Sequence, residues 1–236
     1  MLLEILFEDE YLIAINKPSG LLVHRTSIAA DETVFALQLL RDQIGQHVSP
    51  VHRLDRPTSG ILLFSKKEEI LPLLKEQFAD RSVKKTYLAI VRGIPVNKSD
   101  LIDHPLKSER SGRMQEAKTS YQVIAEAEIP FDTTGRYPTS RYSFLELKPE
   151  TGRTHQIRRH LAHIRHYILG DKKHGDNKQN QFFEKQFGLE NLLLHARQLE
   201  FGHPISKETI IVRAELPSHF QKTITDLGWS KFHLEE

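Results

Sequence analysis

Residues 51–64 read Val51-His52-Arg53-Leu54-Asp55-Arg56-Pro57-Thr58-Ser59-Gly60-Ile61-Leu62-Leu63-Phe64, and the rest of the chain arranges itself around them. The stretch sets one carboxylate between two arginines. Pro57 and Gly60 punctuate a loop, and the apolar run after them predicts a buried strand. An aspartate so flanked has its charged form favoured. Ionised, it can serve as a nucleophile or a base. The same residues also suit an Arg–Asp pair that only pins a surface loop, so the loop by itself leaves both readings open.

Upstream, residues 3–7 and 11–16 read as short strands, and Asn16-Lys17-Pro18-Ser19-Gly20 is a turn signal. Lys17 there is either a phosphate contact or a solvated lysine. Asp31 predicts the N-cap of a helix over 32–44, with Val34, Leu37, Leu40 and Ile44 on one face and Gly45 closing it. Downstream, the strand over 61–65 leads to a helix over 67–79. Ser65 and Glu68 have capping-box spacing, and Pro72 predicts a kink or a late start.

Residues 83–92 alternate as a strand that carries Tyr87, Ala89 and Val91 on one face. A polar connection or hairpin over 97–118 precedes strands near 119–126 and 141–148. The loop 130–140 between those strands mixes Arg136 with Tyr137. Such a loop suits stacking on and neutralising an RNA strand, and equally suits a plain surface role. From Thr154 the period turns helical, with Ile157, Leu161 and Ile164 facing a core. Arg158 adjoins that stripe, whereas Arg159 and Arg165 point outward. A helix near 180–187, strands over 192–201 and 209–214, and a helix from Pro217 to Gly228 complete the chain. One mixed domain over 1–236 is expected, with many strands, fewer helices and a cleft across the sheet.

The 236 residues suffice for a real core, and 39% hydrophobic with 27% charged residues is ordinary for a globular chain. With no cysteine, disulfides and thiol catalysis are excluded. No apolar run approaches the roughly 20 residues that span a membrane, and the acidic start MLLEILFEDE does not read as a signal peptide. A cytoplasmic location is expected. The net charge of +2 is modest, but residues 151–175 hold six Arg or Lys, five His and a single acid, Asp171. That patch suits an anionic partner.

The string HRLD, then RPTSG and an apolar strand, resembles the central motif of the RluA-type pseudouridine synthases. Lys84-Lys85-Thr86-Tyr87-Leu88-Ala89-Ile90-Val91-Arg92-Gly93 resembles their tyrosine-bearing strand. Thr151-Gly152-Arg153-Thr154-His155-Gln156-Ile157-Arg158, running on to Gly170-Asp171, resembles their arginine motif. Leu194-His195-Ala196 matches a short downstream signature. The likeness spans roughly residues 3–215. Three further segments, RDQIGQHV (41–48), TGRYPTSRY (134–142) and RRHLAHIRH (158–166), resemble a tRNA-acting branch whose target is the uridine at tRNA position 65.

The resemblance implies an α+β fold: a mixed, mainly antiparallel sheet with flanking helices and a central cleft, without an S4-type RNA-binding domain. It implies an isomerase that converts uridine to pseudouridine in tRNA and needs no cofactor or metal. By the same resemblance Asp55 is the nucleophile, and Arg158 is expected to pair with it and keep it ionised. Arg53 would enter the gap left by the flipped base, since flipping costs about a few kcal/mol and opens the stack. Tyr87 would stack on that base and take part in proton transfer at C5, and Leu194 would wall the ring. Arg56, Arg136 and Lys173 complete the expected RNA contacts. The partner is tRNA, with neither a membrane nor a protein partner implied.

Other readings compete. A family member acting on rRNA shares the same core motifs. A non-catalytic RNA-binding module could reuse the fold. A metal on His160, His163 and His166 is disfavoured because Arg158, Arg159 and Arg165 crowd it and no acidic ligand lies among them. HRLD echoes a kinase catalytic loop, but the H-R-D order, the downstream Asn and D-F-G are all missing.

Overall fold

The expected strand after the Asp loop is β4 (Ser59–Ser65), buried along its whole length. In this computed structural model, which describes residues 1–24, 34–133 and 135–229, the chain divides into two compact units. The first comprises residues 1–86 and 195–215, the second residues 87–194 and 216–236.

In the first unit, β1 (Glu4–Glu8) and β2 (Leu12–Lys17) precede α1 (Ala36–Ile44), β3 (Ser49–Pro50), β4 and α2 (Leu71–Ala79). The chain later returns, from His195 on, with β11 (Leu194–Gly202) and β12 (Thr209–Arg213). β2 pairs antiparallel with β1 and β4, and β12 antiparallel with β11, while β4 and β11 run parallel. Every residue of β4 is buried, so both of its faces are covered, which is why it reads as a continuous apolar run rather than an alternating one. Ile61 and Leu63 join Leu12, Ala14, Leu74, Leu199 and Phe201 in one cluster. Leu62, Phe64, Ile13 and Ile15 are equally buried. Gly60 is obligatory: it has φ 110°, and a Cβ there would lie 2.3 Å from the Ala196 carbonyl oxygen.

Gly45 closes α1 in the left-handed conformation, as expected. Asp31, the expected N-cap, lies outside the described residues; α1 begins after Phe35. Pro72 gives the late start. Glu68–Ile70 form a 3-10 turn and the proline occupies the first turn of α2. The expected capping box does not form. Ser65 still belongs to β4, and its hydroxyl donates to the Lys67 carbonyl at 2.5 Å.

The second unit is built on an antiparallel sheet whose spatial order is not the order of the chain. From Tyr87 on, β5 (Lys84–Arg92) pairs with β10 (Ser140–Pro149), β10 with β9 (Lys118–Ile129), and β9 with β6 (Ser99–Asp103). The polar connection resolves into β6 and a small hairpin of β7 (Leu106–Lys107) and β8 (Met114–Gln115). Three helices accompany the sheet: α3 (Gln156–His163), α4 (Asn177–Phe187) and α5 (Ser218–Asp226). Ile157 and Leu161 of α3 enter a core shared with Phe144, Phe183, Phe220 and Trp229. The mixed, mainly antiparallel α+β class is thus as expected. No described helix is long and apolar enough to cross a membrane.

Candidate active site

The Asp loop is held from both ends within the first unit. At its entrance, His52 stacks on Phe78 with ring centroids 4.8 Å apart, and its Nε2 accepts from the Leu63 amide at 3.2 Å. Desolvation holds the imidazole near a pKa of about 4, so it is neutral and its Nε2 remains an acceptor. At its exit, the Ser59 hydroxyl meets His195 Nδ1 at 2.9 Å, and both residues are buried. Between these anchors the Thr58 amide donates to the Asp55 carbonyl at 3.1 Å, closing the turn. Arg53 and Arg56 are exposed and Asp55 is half-buried. A rigid base thus presents one carboxylate with an arginine on each side.

The β2 turn forms the underside of the loop. The Gly20 amide donates to the Arg56 carbonyl at 2.9 Å, Arg56 Nε donates to the Gly20 carbonyl at 3.0 Å, and the Ser19 hydroxyl donates to the Pro57 carbonyl at 2.7 Å. Lys17 is wholly buried, which overturns both its phosphate-contact and its solvated readings. Sequence shows a turn lysine, and solvent is the default place for one; its partners are carbonyls brought in by the fold.

In the second unit, Arg158 projects from the first turn of α3 to the buried side and forks onto Asp171. Nε reaches Oδ2 at 2.7 Å and Nη2 reaches Oδ1 at 2.8 Å, with both side chains buried. Burial opposes the Asp171 charge. The Arg158 fork and the His174 and Lys173 amides outweigh it and hold the carboxyl below the usual carboxylate range. Gly170, just before Asp171, lets the chain pass close to the backbone at Asn191, because a Cβ there would lie 2.0 Å from the Asn191 carbonyl oxygen. Asp171 as the partner of Arg158 was not assigned from sequence. Its signal was present: it is the one acid in a basic stretch of 25 residues, 151–175.

Tyr87 is half-buried on β5 opposite Leu147 and packs against the core of its unit. Leu194 is 3% exposed and belongs to that same core. Lys173 is exposed and pairs with Glu109 at 2.9 Å. Arg136 and Tyr137 are exposed on the 130–140 loop, whose base is fixed by buried groups. There Thr133 and Ser140 hydroxyls meet at 2.6 Å, and Gln179 links Thr133 to the Tyr142 hydroxyl at 2.6 and 2.7 Å. His160 is fully buried, with Nδ1 at Thr119 Oγ1 and Nε2 at the His104 carbonyl, both 3.0 Å. It is a packed histidine. Among the described residues no group of three or more His, Asp or Glu is placed to hold a metal ion.

Residues 11–163 match the family model of RNA pseudouridylate synthases. The chain belongs to that family. Similar proteins extend the match: a tRNA pseudouridine synthase C of Haemophilus ducreyi is 48% identical, covering 97% of this chain and 97% of its own. One from Vibrio parahaemolyticus is 45% identical over 97% of this chain and 96% of its own. Among solved structures, human RNA pseudouridylate synthase domain containing 4 superposes with a TM-score of 0.73 at 28% identity, covering 95% of this chain and 93% of that one. The family likeness read from the motifs is therefore established for this pseudouridine synthase.

The neutral state of His52 has a consequence for stability. Its folded pKa of about 4 lies below the ordinary histidine value of 6.5, and burial pushes His160 and His219 in the same direction. The unfolded chain therefore takes up these protons first. Their contribution is complete above pH 6.5 and is lost as the pH falls through the folded values. Thermal melting should drop steadily from about pH 6.5 to about pH 4, and His52→Gln should shallow that slope. A slope unchanged in the variant would remove His52 from the account.

Proposed function

We propose that this enzyme converts uridine to pseudouridine in tRNA, at position 65, with Asp55 as the nucleophile. The observation that carries the tRNA reading is the span of the likeness, 97% of both chains for the Haemophilus ducreyi relative. It takes in the 41–48, 134–142 and 158–166 segments as well as the family motifs. In the reaction the N1–C1′ bond breaks, the freed uracil turns, and a C5–C1′ bond forms. The C5 hydrogen leaves as a proton and N1 gains one, so atoms balance without an oxidant or a cofactor. Asp55 attacks either C1′ or C6 and is released when the new bond is complete. Arg158 keeps the nucleophile ionised and aimed, itself aligned by Asp171. Arg53 fills the gap in the RNA stack, Tyr87 stacks on the extruded base, and Leu194 backs the ring.

Arg136, Arg56 and Lys173 meet phosphates. Lys173 must exchange Glu109 for a phosphate to do so, and exchanges of like charge cost little at an exposed site. Neutralising Arg136 or Lys173 should weaken tRNA binding and lessen the slope of log affinity against log salt by about one. An unchanged slope would return that residue to the solvent. The position is tested with transcripts labelled at C5 of uridine with tritium, with and without a U-to-C change at position 65. Release is expected only from the unchanged transcript. Equal release from both would overturn position 65.

A further inference from the structure

We propose that Lys17 is a positioning residue for the reaction, tying down the Asp loop at the Arg56 carbonyl and keeping a positive charge behind the Asp55 carboxylate. This rests on Asp55 being the nucleophile. Lys17 ends β2 and is among the largest fully buried side chains of the protein. Its ammonium donates to three carbonyls: Pro18 at 2.9 Å, Leu21 at 2.8 Å and Arg56 at 3.2 Å. Three protons meet three acceptors, so the charged form is fully satisfied. Two of the acceptors belong to its own turn. The third, 39 residues away, is the carbonyl of Arg56, the residue that follows Asp55.

The charged groups that the β2 turn and the Asp loop bring to Lys17 are Asp55 and Arg56. Arg56 directs its Nε at the Gly20 carbonyl, and Asp55 acts on Lys17 through its field. Burial lowers the lysine pKa from 10.5 to about 7, and Asp55 partly offsets it. The unfolded chain holds this proton to higher pH than the folded one, so between those values stability rises with pH. A buried ammonium is therefore a cost to the fold, one an apolar side chain of similar length would not carry. Its bond to the Arg56 carbonyl, one residue from the nucleophile, accounts for it. Deprotonation leaves two protons for three carbonyls, and the longest contact, to Arg56, is the one to be lost. A small displacement of a reacting group costs up to about 100-fold in rate.

The test is single-turnover tritium release from 5-tritiated tRNA between about pH 6 and about pH 9, using wild type, Lys17→Met and Lys17→Arg. At the acidic end, Lys17→Met should be slower by about 10- to 100-fold, with tRNA affinity within about threefold because no phosphate contact is removed. The wild-type rate should fall on an alkaline limb above pH 7, and in Lys17→Arg that limb should move to higher pH, since a guanidinium keeps its proton. A Lys17→Met rate within about twofold of wild type would overturn the inference while leaving Asp55 in place. If that variant does not fold, the wild-type profile decides: a flat rate across the range would equally overturn it. Turnover retained in Asp55→Asn would remove the nucleophile, and this inference with it.

Discussion

Asp55→Asn should lose turnover by about 1000-fold or more while binding tRNA within several-fold of wild type. The substitution keeps shape and removes only the charge proposed to make the bond. The arginines proposed to hold the RNA, Arg53 and Arg56, are exposed beside it and are untouched. Phosphate contacts set affinity and register, so losing a carboxylate does not weaken binding, and removing a negative charge near RNA tends to favour it. The Asp loop should survive as well. Its shape depends on the Thr58 amide to the Asp55 carbonyl, on Ser19 to Pro57 and on Ser59 to His195. None of these uses the Asp55 side chain. Rapid single-turnover kinetics with a parallel filter-binding titration measures both quantities. Turnover within about tenfold of wild type would contradict the nucleophile role, and a collapse of binding in step with turnover would make Asp55 a structural residue.

Asp171→Asn should be the most destabilising single change near the site. The Arg158 guanidinium is 5% exposed and depends on the Asp171 carboxylate through two bonds, at 2.7 and 2.8 Å. An asparagine can accept only one of them and turns a donor toward the other. Breaking a buried pair by removing one partner costs about 3–5 kcal/mol, which for a chain of this size lowers the melting temperature by about 10 °C. Turnover should fall too, because Arg158 loses the partner that fixes its plane. The variant should also lose one component of acid sensitivity. The Asp171 carboxyl is held below the ordinary aspartate value of 3.8, so its contribution is present above that value and is lost as the pH falls through the folded pKa. Melting curves at neutral and acid pH check both statements. A variant that melts like wild type at neutral pH would mean that the fork contributes nothing to the fold.

Local chemistry made much of the architecture legible. The apolar run after Gly60 predicted a covered strand, and it is β4, between β2 and β11. Gly45, Pro72 and the period of Ile157 and Leu161 placed helix ends and faces because each acts within one or two turns. The partners of charged side chains were not legible. Lys17 reaches a carbonyl 39 residues away, and Arg158 reaches a carboxylate 13 residues away. Nothing periodic marks either. Ser65 and Glu68 had the spacing of a cap, but spacing does not reveal that the serine is still in a strand. Within the site, Arg53, Asp55 and Arg56 were adjacent in sequence and hence visible together. Asp171 was visible as the lone acid of a basic stretch and at the end of the third motif, but not as the partner of Arg158.

The most direct measurement is tritium release from 5-tritiated uridine in tRNA and in rRNA, with wild type and Asp55→Asn side by side. The C5 hydrogen leaves only when C5 becomes the glycosidic carbon. Release from tRNA by wild type, none from rRNA and none with the variant is the predicted result. Release from rRNA alone, or release from tRNA that persists in Asp55→Asn, would contradict it.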